Sequence, residues 1–172
     1  LLDTISIYKS FGLRQTINLN NFSSNINHNI VDKTYKSILK NISNKKILNL
    51  KIDGVHIGDL LYDDVLRKFF VGSIDINSEV FLNHLYEFIK TFYLWKYYFK
   101  TKNVKSIILS HAVYENAIPL RIAQNINIPV YLPDNFRLLR FGKNKKFTLD
   151  PNLYREINSS FNEIEKVKLK KI

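Results

Sequence analysis

The 172-residue sequence contains no cysteine and no methionine. Without cysteine the chain can form neither a disulfide framework nor a thiolate metal site, which excludes disulfide-stapled folds and cysteine-ligated zinc folds. The absence of cysteine also fits a reducing compartment. Because the sequence starts at Leu1 and has no methionine, we expect that it begins within a longer reading frame.

Long uncharged apolar runs are also missing. The most apolar stretch, residues 81–99, is interrupted by His84, Glu87, Lys90 and Lys96, whereas a helix that spans a bilayer needs roughly 20 consecutive apolar residues. No secretory leader pattern is visible. We therefore expect a cytoplasmic protein, with peripheral contact at the inner face of the membrane as an option that its basic charge allows.

Acidic residues are scarce, since 15 of them stand against 26 lysines and arginines and leave a net charge of +11. Such a balance suggests anionic partners, namely nucleic acid, nucleotide phosphates or a membrane surface. The alternative is compositional drift, because the richness in asparagine, isoleucine and lysine is what an AT-rich genome imposes. The lysine clusters at 143–146 and 166–171 lie in polar or terminal segments, which favours the alternative.

Hydrophobic residues make up 45% of the chain, enough for the core of one domain. A short apolar run at 104–109, a helical pattern to about residue 124 and a second apolar run at 128–132 predict a β-loop-α-β unit with parallel strands. The predicted fold class is therefore α/β, a Rossmann-like open parallel sheet flanked by helices, over residues 1–150. A charged helix or linker is expected at 151–172.

Apolar spacing of three and four residues predicts further helices before this unit, and a short apolar run predicts a strand. Helices are predicted at 30–39, 60–70 and 78–100, and the strand at 47–52. Asp53-Gly54 predicts a turn after that strand. Asp59 is placed to be the N-cap of the helix that follows.

The first candidate for chemistry is the segment between the two strands of the β-loop-α-β unit. Ser110 and His111 follow the first strand, and Tyr114 precedes the helix. The carboxyl ends of parallel strands and the N-termini of helices are where ligands and anions bind in α/β proteins. A histidine there can act as a base or bond a phosphate or sugar hydroxyl. Alternatively, Ser110 caps the helix and His111 packs within the loop.

The second candidate is the segment 51–69, which concentrates charged residues beside two glycines. Its polar members are Asp53, His56, Asp59, Asp63, Asp64 and Arg67. They can bind a substrate or, less readily, a metal. Helix capping and surface ion pairs, such as Asp63 with Arg67 at a spacing of four, explain the same residues.

The third candidate is Arg121 on the crossover helix, which is either a binding residue or a residue exposed to solvent.

The familiar signatures of several enzyme classes are missing. The sequence has no GxGxxG, no GxxxxGK[ST], no HExxH and no GxSxG motif. These absences count against a dinucleotide-dependent enzyme of the usual type, a P-loop nucleotidase, a zinc protease and an α/β-hydrolase.

Two segments resemble paired blocks of a known family. KIDGVHIGDLLYDDVLRKF at 51–69 resembles a block K-I-D-G-I-x-I-G-D-L-I-Y-D-x-Y-L-R, and ILSHAVYENAIPLRIAQNINIPVYL at 108–132 resembles a block S-H-x-x-Y-x-x-x-G-x-x-x-R-x-A-x-x-x-G-I-x-V-Y. In this order the blocks are similar to those of bacterial capsule and lipopolysaccharide biosynthesis proteins. Those proteins look like GT-B glycosyltransferases, which have two Rossmann-like domains with the active site between them.

The resemblance implies transfer of a sugar from a nucleotide-sugar donor to a surface glycan or a lipid-linked acceptor, with no metal or other cofactor. It makes His111 the catalytic base or acceptor contact. The remaining matched polar positions become substrate-binding residues, namely Asp53, Asp59, Asp63, Arg67, Ser110, Tyr114 and Arg121.

The sequence departs from the family pattern at three positions, because Ala117 and Asn127 stand where glycine is expected and Val65 where tyrosine is expected. A chain of 172 residues is also too short for two Rossmann domains. We therefore expect the acceptor-side, N-terminal half of a GT-B enzyme, inactive without its donor domain.

Two readings from other classes remain. A basic nucleic-acid-binding module would show a continuous lysine and arginine stripe with accessible aromatic side chains, and the scattered lysines disfavour it. A non-catalytic α/β scaffold is the other, because a fold does not fix a function.

Overall fold

The computed structural model describes residues 12, 15, 17–43, 46–133 and 138–141. The helix or linker predicted at 151–172 lies outside them. The helices are α1 (His28–Asn41), α2 (Gly58–Phe69), α3 (Glu79–Thr101) and α4 (Ile118–Asn125), and the strands are β1 (Lys51–Ile52), β2 (Val55–His56), β3 (Ile107–Ile108), β4 (Val130–Pro133) and β5 (Leu138–Phe141). Short 3-10 turns cover Leu19–Asn25, Ile47–Asn49 and Glu115–Ala117.

Helix α3 is the centre of the core. It begins after Ser78, whose hydroxyl accepts the Phe81 backbone N–H at 3.2 Å and so caps the helix. Its phenylalanines Phe81, Phe88 and Phe92 are fully buried, and α1, α2 and α4 all pack against it. The helices predicted at 30–39, 60–70 and 78–100 are confirmed as α1, α2 and α3.

The β-loop-α-β unit is also confirmed. Strand β3 pairs in parallel with β4, with Ile107 opposite Val130, and α4 forms the connection between them. Strand β5 then returns antiparallel to β4, a strand that the sequence pattern did not predict. The fold is therefore α/β with a small mixed sheet, in the order β3-β4-β5.

The strand predicted at 47–52 is wrong over its first half. Residues 47–49 form a 3-10 turn, and only Lys51–Ile52 is extended, paired with β2 in a two-residue hairpin. The turn at Asp53-Gly54 is confirmed, since both residues have positive φ (48° and 79°), as a tight hairpin turn requires. This hairpin is a separate sheet from β3-β4-β5.

None of the helices within the part of the chain that the structure describes is long and apolar enough to cross a membrane.

Candidate functional site

The loop after β3 carries the first candidate residues. Ser110 and His111 leave the carboxyl end of β3, and both side chains are exposed. The Nδ1 atom of His111 lies 3.0 Å from the Ser110 hydroxyl oxygen. Ser110 does not cap α4, because the N-cap position belongs to Ala117 and has no side-chain hydrogen bond. The two side chains are therefore directed toward each other and solvent rather than into the helix or the core.

A cavity of about 350 Å³ opens beside this loop, a volume at the lower end of the range for small-ligand sites. Ser110 and His111 lie on its wall together with Glu115, Asn116 and the Trp95 indole. The cavity thus combines hydroxyl, imidazole, carboxylate and amide groups with one aromatic surface, a mixture suited to a polyhydroxylated ligand.

Tyr114 holds an unusual backbone conformation within the same loop. Its φ of 58° and ψ of −160° fall in a region that side-chain-bearing residues rarely adopt. The Arg67 guanidinium of α2 lies 4.5 Å from the centre of the Tyr114 ring, within reach of a cation–π contact. The backbone N–H of the next residue, Glu115, faces the Asp64 carboxylate of α2 and helps to lower its pKa. Helix α2 therefore holds the loop between β3 and α4 in place through its contacts with Tyr114 and Glu115.

Asp64 is itself part of a buried pair. Its Oδ2 lies 2.8 Å from His84 Nε2 of α3, and both side chains are only 4% exposed. The angle of this contact is not that of a regular hydrogen bond, and neither atom has another partner among the described residues. Burial raises the pKa of Asp64, but His84 and the Glu115 N–H outweigh it, so the pKa lies below the ordinary value.

A second polar contact joins α2 to α4. Arg121 Nη2 donates to Asp59 Oδ2 at 2.5 Å. The other Asp59 oxygen faces His56 Nδ1 at 3.4 Å, while His56 Nε2 lies 2.6 Å from the Leu48 carbonyl and must donate to it. Asp59 lies in the first turn of α2 after the N-cap residue Ile57, so its prediction as N-cap is wrong.

The structure places the predicted site residues in separate contacts. Asp59 pairs with Arg121, and Arg67 covers the Tyr114 ring. Ser110 and His111 line the cavity, and none of the other four is among its lining residues.

Asp63 and Asp53 take part in neither of these pairs and do not line the cavity beside His111. Asp63 is exposed on α2, where partial burial and the nearby Asp59 raise its pKa. The suggested ion pair of Asp63 with Arg67 does not form in the described part of the chain, because Arg67 covers Tyr114 instead. Asp53 lies in the β1–β2 turn, 2.6 Å from Lys96 of α3.

Sequence reasoning missed His84 as the partner of Asp64, and it missed Trp95 and Asn116 in the cavity wall. Asn116 lies in the loop that the sequence pattern indicates as a candidate site, so its position in that loop could have predicted it. His84 and Trp95 carried no such signal, because they lie on α3 among aromatic residues that the pattern assigns to the core.

No group of three or more histidine, aspartate or glutamate side chains within the described residues could hold a metal ion. No protein-family model, no curated protein and no solved structure matches the chain.

Proposed function

We propose that the chain is the acceptor-side, Rossmann-like domain of a GT-B glycosyltransferase, which transfers a sugar from a nucleotide-sugar donor to a surface glycan or lipid-linked acceptor. Two features support the proposal. The two segments that resemble the family pack against each other through Asp59–Arg121 and Arg67–Tyr114. The parallel β3-α4-β4 unit is the repeating element of a Rossmann-like sheet.

The observation that carries the proposal is the position of His111. It is an exposed histidine at the carboxyl end of a parallel strand, on the wall of a cavity of about 350 Å³. Hydroxyl, amide and carboxylate groups surround it, and these are the groups that orient a sugar hydroxyl.

The proposed reaction uses His111 as general base. When the Ser110 hydroxyl accepts the Nδ1–H of His111, Nε2 keeps its lone pair and takes the proton of an acceptor hydroxyl. The acceptor oxygen then bonds to the anomeric carbon of the donor sugar, and the bond from that carbon to the nucleotide phosphate oxygen breaks. The nucleotide leaves with the bonding electrons, and a second, donor-binding domain would hold it.

Nucleic-acid binding has less support. Single-stranded nucleic acid needs accessible aromatic faces along a basic surface. The α3 phenylalanines Phe81, Phe88, Phe92 and Phe99 are buried, and the partly exposed Tyr93 and Tyr97 line an apolar groove with two lysines rather than a continuous basic surface.

The test uses the intact natural protein with a panel of nucleotide sugars and an extract of surface-glycan acceptors, and follows nucleotide release. Acceptor-dependent release should fall by about 100-fold or more in His111→Ala, the range for loss of a general base. His28→Ala is the matched control, because His28 is an exposed histidine at the start of α1. Absence of release with every donor would overturn the proposal in favour of a non-catalytic scaffold, whereas full activity in His111→Ala would overturn the role of His111 as general base.

A further inference from the structure

A second cavity, of about 680 Å³, lies away from His111, between α3, α4 and the start of α1. One wall is a stripe along α3, formed by Tyr93, Lys96, Tyr97 and Lys100. Their spacing of three and four residues places these side chains on one face of the helix. Ile30 of α1 and Ile122 of α4 contribute apolar wall, and Asn25 and Asn27 line the end of the cavity just before α1.

The apolar part of this groove includes two isoleucines that remain open to water. Ile30 of α1 is 42% exposed and Ile126, just after α4, is 47% exposed. Below them, Ile26, Phe99 and Ile122 are buried and form the floor. Cavities that hold ligands in proteins are mostly apolar with a few polar groups that orient the ligand.

The charge at the rim is positive. Lys96 lies 2.6 Å from Asp53 and forms an ion pair with it. Lys100 is exposed, and no carboxylate of the described residues pairs with it. Two ammonium groups thus stand against one carboxylate on an apolar groove, in a chain whose net charge is +11. This distribution complements a ligand with an apolar body and a negative end.

We propose that this groove binds an amphiphile with an alkyl chain and a phosphate-like headgroup. The alkyl chain lies along Ile30 and Ile126, and the headgroup meets Lys100 and Lys96. If the proposed sugar transfer holds, the groove takes the lipid part of the acceptor. The binding itself requires no donor and no reaction at His111.

The experiment measures binding of octyl phosphate to the intact protein by calorimetry, below the concentration at which micelles form and without nucleotide sugar. Octyl glucoside supplies the chain without the charge, and inorganic phosphate supplies the charge without the chain. Octyl phosphate should bind saturably, and about two- to fivefold more tightly than octyl glucoside, the range of one exposed ion pair. Inorganic phosphate should show no saturable binding.

Two variants test whether the ligand binds in this groove. Ile126→Ser should weaken octyl phosphate binding by about tenfold through lost apolar contact, and Lys100→Gln should remove the advantage of octyl phosphate over octyl glucoside. The matched controls are Leu138→Ser, an apolar side chain 58% exposed on β5, and Lys102→Gln, an exposed lysine just after α3.

Three results would overturn the proposal: no saturable binding of octyl phosphate, equal binding by Ile126→Ser and the unaltered protein, or equal loss in the controls. None of them bears on sugar transfer, which is measured with a donor and with His111→Ala.

Discussion

Asp64 and His84 are the two polar residues whose side chains are buried most completely in the described part of the chain. A carboxylate withdrawn from water is costly unless charges or hydrogen bonds compensate it. Here the compensation comes from the His84 ring at 2.8 Å and from the Glu115 backbone N–H. The His84 ring is held in turn by an edge-on contact with Phe69, at 5.4 Å between ring centres. The pair therefore links α2, α3 and the loop that carries His111.

Asp64→Asn should lower the free energy of unfolding at pH 7 by about 2–4 kcal/mol, because it removes one charge of a buried pair. The pKa of Asp64 is lowered in the folded protein from an ordinary value of 3.8. Its contribution is therefore fully present above that value and is lost as the pH falls through the lower, folded pKa. Urea unfolding at several pH values should show the gap between the two proteins narrowing in this acidic range.

Asp63→Asn is the matched control, since Asp63 is the preceding residue of α2 and is exposed. Partial burial and the charge of Asp59 raise its pKa, so the ionised form is disfavoured in the folded protein. Its replacement should leave the free energy of unfolding at pH 7 within about 0.5 kcal/mol, or raise it slightly. Equal losses for the two variants would show that the Asp64–His84 pair contributes nothing specific.

The sequence pattern singled out the segment 51–69 but did not predict which residues its side chains contact. Asp64 was one of several acidic residues in 51–69, and nothing local distinguishes it from Asp63. What separates them is the direction in which each side chain leaves α2, toward His84 or toward solvent. Asp59 shows the same limit, because a carboxylate near a helix start predicts a cap. In the structure its carboxylate instead accepts a hydrogen bond from Arg121, which is far away in the sequence.

Among the elements, helices were easier to predict than strands. Helix α3 has 23 residues, so its apolar spacing repeats over several turns and Ser78 marks its start. The run at 47–52 has only six positions, and a short apolar run does not separate a strand from a buried turn. Ile47 is buried there, and the Leu50 carbonyl accepts the Ile57 and Gly58 N–H groups at 3.0 and 3.1 Å. This packing against α2 decides the conformation.

The contact between that 3-10 turn and α2 depends on Gly58. A Cβ atom added to Gly58 would lie 2.6 Å from Leu50 N, 2.8 Å from the Leu48 carbonyl carbon and closer still to the Ile47 oxygen. All three are backbone atoms, which cannot move without shifting the turn. Gly58→Ala should therefore lower the free energy of unfolding by about 1–3 kcal/mol, measured in urea.

Gly72→Ala provides the comparison for this substitution. No atom lies within 4 Å of a Cβ added to Gly72, and its φ is not in the left-handed region. Alanine there should be neutral or should stabilise the protein by about 0.4–1 kcal/mol, because it restricts the unfolded chain. A loss as large as that of Gly58→Ala would mean that the effect at Gly58 does not come from its close backbone contacts.

For the whole molecule, the sequence predicted the α/β class and the parallel β3-α4-β4 unit, because the unit is local and its strands are bounded by turns. It did not predict β5, which pairs with β4 although its pattern is weak. It also did not predict that β1 and β2 form a hairpin outside that sheet. Both features depend on pairing choices between segments, which periodicity does not encode.

Asp59 of the segment 51–69 and Arg121 of the segment 108–132 form an ion pair, so their contributions to stability should be coupled. Its side chains are 37% and 14% exposed, and such a partly buried, charge-assisted hydrogen bond should give a coupling energy of about 1–2 kcal/mol. The measurement is a double-mutant cycle of Asp59→Ala and Arg121→Ala, with free energies of unfolding from urea titration.

The control cycle uses Glu87 and Lys90, an ion pair of 3.0 Å within α3 whose side chains are 62% and 28% exposed. Its coupling should be only about 0.2–0.5 kcal/mol, the range for pairs on a helix surface. If both cycles gave the same small coupling, the pair of Asp59 and Arg121 would contribute no more to stability than an exposed pair on a helix surface. The polar residues of the segments 51–69 and 108–132 would then be explained by ligand binding rather than by their contacts with each other.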